Sequence, residues 1–135
     1  MAVRLNHTIV SARDSEKTAA FLVEILGLPA PSRFGPFHVV EAANGVSLDV
    51  MDAEGEITPQ HYAFLVDESE FDEIFGRIQQ RSLAHWADPA QSKPGRINRR
   101  DGGRGVYFED PNGHLLEILT RPYGSGGWSG SEPGD

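Results

Sequence analysis

Residues 108–119 read Phe108-Glu109-Asp110-Pro111-Asn112-Gly113-His114-Leu115-Leu116-Glu117-Ile118-Leu119. Asp110 to Gly113 is turn chemistry: proline presets φ, the Asp and Asn side chains bond the local backbone, and glycine accepts positive φ. The flanking runs, Gly105–Glu109 and His114–Thr120, therefore read as two strands folded against each other. Strand side chains alternate between faces, so Glu117 shares one face with Leu115 and Leu119 while Leu116 and Ile118 take the other. An ionised carboxylate on an apolar strand is costly to bury unless a cation or partner compensates it.

Working outward, a loop with Pro89, Pro94 and Gly95 precedes this hairpin and carries Arg96, Arg99, Arg100 and Arg104. Before it come a short segment near Ala84–Trp86 and a helix through Phe71, Ile74, Phe75 and Ile78, which Ser69 can cap. His61–Val66 reads as a strand, with His61, Ala63 and Leu65 on one face and Tyr62, Phe64 and Val66 on the other. The first half shows the same order. A strand over Val3–Val10 leads to Asp14 or Ser15 as a cap and to a helix carrying Ala19, Phe21, Leu22, Ile25 and Leu26. Gly27 stops it, Pro29 and Pro31 prevent its resumption, and strands at Phe37–Ala42 and Val46–Met51 flank Asn44-Gly45.

The pattern strand–helix–strands thus occurs twice. His7 and His61 occupy matching places in the opening strands, Asp49 and Glu117 in the closing ones, and the Lys93–Arg104 loop accounts for the longer second half. Each of these four residues interrupts an apolar strand. Two imidazoles and a carboxylate converging there suit a divalent metal with open coordination positions.

Composition narrows the classes. With 135 residues, 39% hydrophobic and 24% charged, the chain fits one compact domain or two small modules. A net charge of -8 argues against broad attraction to nucleic acid phosphates. Without cysteine there is neither a disulfide framework nor a thiolate ligand, so a metal must use nitrogen and oxygen. No stretch approaches a membrane span or a signal-peptide core, which leaves the cytoplasm as the default location.

LNHTIV, the helix ending in EILGL, VSLDV, QHYAFLV and FEDPNGHLLEIL resemble the successive motifs of the vicinal oxygen chelate superfamily. That superfamily includes glyoxalase I, fosfomycin-resistance enzymes, bleomycin-resistance proteins and extradiol dioxygenases. The resemblance covers about residues 3 to 121 and is most specific in FEDPNGHLLEIL. It implies an α+β fold of two βαβββ modules forming an open, U-shaped mixed sheet with helices on the outer face. Module one spans about 3–52 and module two about 59–121, within a domain over 1–123 followed by a flexible tail over 124–135. By the same resemblance His7, His61 and Glu117 match metal ligands for one divalent ion per site, of the iron, nickel, manganese, zinc or cobalt type. Asp49 matches a place where some members carry a fourth ligand, usually glutamate. Aspartate is one methylene shorter, which leaves ligation, action through water, or general-base catalysis open. The resemblance further implies a homodimer in which His7 comes from one chain and His61 with Glu117 from the other.

Such a centre implies a metal-dependent enzyme that chelates a small, oxygen-rich substrate. Glu117 and Asp49 are its candidate catalytic carboxylates. A lyase or isomerase is favoured over a dioxygenase or thiol transferase, with a noncatalytic, ligand-sequestering protein as the alternative. Arg121 has the parity of Glu117 and is a candidate for binding an anionic substrate group, with Tyr107 as a further donor. His38, His85 and His114 read as surface or turn residues, and Trp128 is the one large apolar side chain in the tail. The expected partners are small molecules and a second copy, with neither nucleic acid nor membrane.

Overall fold

The chain opens with β1 (His7–Ala12), α1 (Ser15–Leu26), β2 (Ser32–Phe34), β3 (Phe37–Glu41) and β4 (Ser47–Asp52). It continues with β5 (His61–Leu65), α2 (Glu68–Gln80), β6 (His85–Trp86), β7 (Gly105–Glu109) and β8 (Leu115–Leu119). The computed structural model describes residues 2–127. Two four-stranded sheets result, in the orders β1-β4-β3-β2 and β5-β8-β7-β6. In each, the opening strand runs parallel to the closing strand, and the remaining ladders are antiparallel. The chain is therefore α+β, with one βαβββ topology used twice.

Two compact units follow. Among the described residues, one holds 2–58 together with Asp110–Asn112, and the other holds Pro59–Glu109 and 113–127. Asn112 explains why the turn goes with the first unit. Its Oδ1 accepts the backbone N–H of Arg13 at 2.9 Å, and its Nδ2 donates to the Thr18 hydroxyl at 2.8 Å.

Local chemistry sets the element ends. Asp14 caps α1 by accepting the Lys17 N–H, and Gly27 ends it at φ 72 while donating to the Val23 carbonyl. α2 begins two residues earlier than Ser69 suggested. Asp67 is its cap, in a reciprocal box with Glu70 that satisfies two donors at once, and the Ser69 hydroxyl merely donates to Asp67. β1 begins at His7 rather than Val3 because its single partner, β4, begins opposite at Ser47. Val3 and Leu5 precede that ladder and stay exposed. β2 is a three-residue edge strand that the prolines before it concealed.

Alternation then separates a core face from an opposite face in each sheet. In the first unit Val10, Ala12, Val40, Leu48 and Val50 are buried with Ala19, Leu22 and Ile25 of α1, which packs on β1, β3 and β4. In the second, Val106, Phe108, Leu116 and Ile118 are buried, as are Phe71, Ile74 and Ile78 of α2. His7, Ile9 and Asp49 occupy the opposite face of the first sheet; His61, Tyr107 and Glu117 occupy that of the second.

His114 departs from its expected surface position and is fully buried. It shares parity with Leu116 and Ile118, so its ring enters the core side, meets Tyr62 edge-on and accepts the Gln60 N–H at 2.9 Å. His38 has the parity of Val40 and bonds the buried Ser15 hydroxyl at 2.9 Å. His85 donates to the Leu83 carbonyl at 3.0 Å and meets Phe75 edge-on.

Candidate metal centre

Register creates the pair at the centre of the second unit. His61 stands opposite Leu115, and Ala63 opposite Glu117, on the parallel β5–β8 ladder. His61 and Glu117 are therefore diagonal neighbours on one face. His61 Nδ1 donates to the Leu115 carbonyl at 3.0 Å, while its Nε2 lies 3.1 Å from Glu117 Oε1. With the Nδ1 proton committed to a carbonyl, neutral imidazole turns the Nε2 lone pair toward a carboxylate oxygen. Two electron-pair donors face each other at that spacing only when a proton or a cation lies with them. A divalent ion fits this donor set, and the Leu115 carbonyl orients the imidazole as an outer partner of a metal ligand does.

The surroundings differ sharply on the two sides. The Glu117 carboxylate is 1% exposed, whereas His61 is 44% exposed, so the pair is closed behind the acid and open beside the imidazole. Tyr107, opposite Glu117 on the antiparallel β7–β8 ladder, stacks on the His61 ring. Its hydroxyl accepts from Arg100 Nη1 at 2.6 Å and is hydrogen-bonded to the Tyr123 hydroxyl. Tyr123 donates to Glu117, at 2.9 Å to Oε1 and 3.2 Å to Oε2. A chain of groups thus leads from a buried guanidinium through two phenols to a buried carboxylate. Burial pushes the Tyr107 phenol up, with the Glu117 charge adding to it against Arg100. Burial and the bonds to Tyr107 and Glu117 push Tyr123 far up. Both phenols therefore keep their protons throughout the ordinary pH range.

The first unit carries the corresponding diagonal. His7 stands opposite Ser47 and Ile9 opposite Asp49, so Asp49 occupies the register position of Glu117. The shorter acid makes a different contact: Asp49 accepts from the Ser47 hydroxyl at 3.0 Å, and His7 Nδ1 is bonded to Asn6 Oδ1 at 2.7 Å. Val39 faces Asp49 where Tyr107 faces Glu117, so no phenol serves this carboxylate from that strand. Among the described residues of one chain, no three His, Asp or Glu side chains stand together as a metal cluster.

The remaining candidates are distributed as follows. Arg121 lies past the end of β8, exposed, with its guanidinium on Ser125 at 3.4 and 3.5 Å. Arg104 bonds Glu68 and Asp72 of α2, each at 2.8 Å, and covers the Phe71 ring. Arg96 and Arg99 are exposed. Trp128 lies outside the described residues, as does most of the tail. Two residues of the site were not singled out from sequence: Tyr123, and Arg100 as the partner of Tyr107. Their signals were faint, a proline that turns the chain just before Tyr123 and a run of four arginines that looked alike. Among the described residues no helix is long and apolar enough to cross a membrane.

The profile of the Glyoxalase/Bleomycin resistance protein/Dioxygenase superfamily matches residues 4–118. The chain is 29% identical over 124 residues to the Glutathione transferase FosA of Serratia marcescens, covering 87% of this chain and 81% of that protein. Among solved structures it is similar to Oxidase ChaP-H2, at 64% identity and a TM-score of 0.92, covering 94% of this chain and 100% of that one. Oxidase ChaP-H1 is similar at 66% identity and a TM-score of 0.90, covering 91% and 99%.

Proposed function

The chain belongs to the Glyoxalase/Bleomycin resistance protein/Dioxygenase superfamily, and from that premise we propose that it is a metal-dependent oxidase of small, oxygen-bearing molecules. The observation that carries the metal is the approach of His61 Nε2 to Glu117 Oε1 at 3.1 Å, with the other ring nitrogen already committed to a carbonyl. The reaction class is carried by likeness, at 64% identity over nearly the whole chain, to a protein named as an oxidase. This reading departs from the lyase or isomerase expected from the sequence.

His61 and Glu117 of one copy, with His7 of a second copy, would hold one divalent ion. In support, β1 and β5 are each an edge strand of their own sheet, His7 is exposed, and Ile9 and Leu65, on the same strand faces as these histidines, are exposed apolar residues. Two imidazoles and a carboxylate leave positions at which a cation such as iron(II) polarises substrate oxygens and supports dioxygen chemistry. The chain's own groups supply the rest. The Leu115 carbonyl holds the His61 tautomer, Tyr107 walls one side of the imidazole, and Asp49, steadied by Ser47, is the candidate base for a substrate proton.

The test joins metal analysis to oxygen uptake. The full chain, loaded anaerobically with iron(II), is expected to hold about one ion per chain, as a three-ligand site of this kind implies. It should consume dioxygen in step with loss of a catechol or α-hydroxyketone from a substrate panel. His61→Ala should lose both properties. Undiminished metal in His61→Ala, or equal turnover with oxygen excluded, would sink the reading.

A further inference from the structure

The geometry points to Tyr123 as a positioning residue for the Glu117 carboxylate, delivered to it by a clasp between Asp101 and the backbone of residues 124–126. The inference rests on the reading of Glu117 as a metal ligand.

Tyr123 lies beyond β8, so strand register does not place it. The clasp does. The N–H of Gly124 donates to Asp101 Oδ2 at 3.1 Å and that of Gly126 to Oδ1 at 2.9 Å. Asp101 is itself buried, in the short 3-10 turn Arg100–Gly102, and adopts the left-handed conformation at φ 58. A β-carbon on Gly126 would collide with the carbonyl group and α-carbon of Asp101, so glycine is what allows the two backbones to approach this closely. The same turn also sends Arg100 to the Tyr107 hydroxyl. One buried turn thus anchors both phenols, Tyr107 through a side chain and Tyr123 through the backbone that follows it.

The consequence falls on Glu117. A phenol donating at 2.9 and 3.2 Å to the two oxygens restrains rotation of the carboxylate and keeps Oε1 beside His61 Nε2. A ligand ordered before its cation arrives loses less freedom on binding. Outer hydrogen bonds of this kind typically change metal affinity about 10- to 100-fold. The residues just after β8 thereby become part of the centre.

Metal-stripped full-length protein, Tyr123→Phe, Gly126→Ala and His61→Ala would be titrated with cobalt(II), reading visible absorption bands and competition against a chelating dye. Tyr123→Phe and Gly126→Ala are both expected to lose about 10- to 100-fold in cobalt affinity. Both should show shifted bands at saturation; metal-free Tyr123→Phe should unfold close to the wild-type temperature, whereas Gly126→Ala should unfold at a lower one, because its β-carbon displaces the buried Asp101 turn. Gly126→Ala retains the tyrosine, so a shared phenotype reports the clasp. Wild-type affinity and spectrum in Tyr123→Phe overturn the positioning role. Loss in Tyr123→Phe with wild-type behaviour in Gly126→Ala overturns the clasp. Cobalt binding by His61→Ala as tight as wild type overturns the ligand reading itself, a result distinct from retention in Tyr123→Phe alone.

Discussion

At the scale of single residues, the candidate chemistry depends on which atoms already have partners. His61 spends Nδ1 on the Leu115 carbonyl, which leaves Nε2 as the nitrogen facing Glu117. Asp49 shows how one methylene changes a role: in the same register position as Glu117, it reaches the Ser47 hydroxyl instead of the neighbouring histidine. Asp49→Asn is expected to lower turnover about 10²- to 10⁴-fold, the usual contribution of a positioned base, while metal content stays at the wild-type level. Elemental analysis beside steady-state rates checks this; parallel loss of both would make Asp49 a ligand. Parity in the sequence placed His7, His61, Asp49 and Glu117 on strand faces correctly because a two-residue period needs no tertiary information. The same parity applied to His114 indicates the core, where the ring lies, although its place beside a turn suggested the surface.

At the scale of elements, the caps and registers do the placing. α1 and α2 both start on an aspartate, and the Asp67–Glu70 box was hidden behind the equally suitable Ser69. Asp67 is held below the ordinary value of 3.8, first by the Glu70 N–H and then by the Ser69 hydroxyl. Ser15, through its backbone N–H first, likewise depresses Asp52. A carboxyl whose folded pKa is depressed stabilises the fold fully above its unfolded value, and that contribution disappears as pH falls through the folded value. Thermal stability is therefore expected to decline below about pH 4, and Asp67→Ala should flatten that decline while lowering the melting temperature at neutral pH. An unchanged acid limb in this variant, followed by circular dichroism, would remove Asp67 from the account. In the core, Ile118→Ala should cost about 2–5 kcal/mol, since it empties a fully buried site. Urea denaturation of the metal-free protein measures this directly.

At the scale of the whole molecule, the proposal of a shared centre has a sharp consequence. His7→Ala and His61→Ala each break every site of a homodimer. If sites take His7 from one chain and His61 with Glu117 from the other, mixing the unfolded variants equally and refolding restores roughly a quarter of the sites, because half the dimers are mixed and each holds one intact site. Metal content that stays at the level of the separate variants would place all ligands in one chain. What the sequence by itself determined about this protein is the doubled βαβββ order, the face on which each candidate ligand lies, and the turn at residues 110–113, because periodicity and turn chemistry act over a few residues. Only the tertiary structure decided that β1 starts at His7, that Asn112 bonds the start of α1, and that Arg100, Asp101, Tyr107 and Tyr123 assemble behind Glu117. Those contacts join residues far apart along the chain through loop and turn geometry, and no local period encodes which of several arginines or tyrosines will arrive.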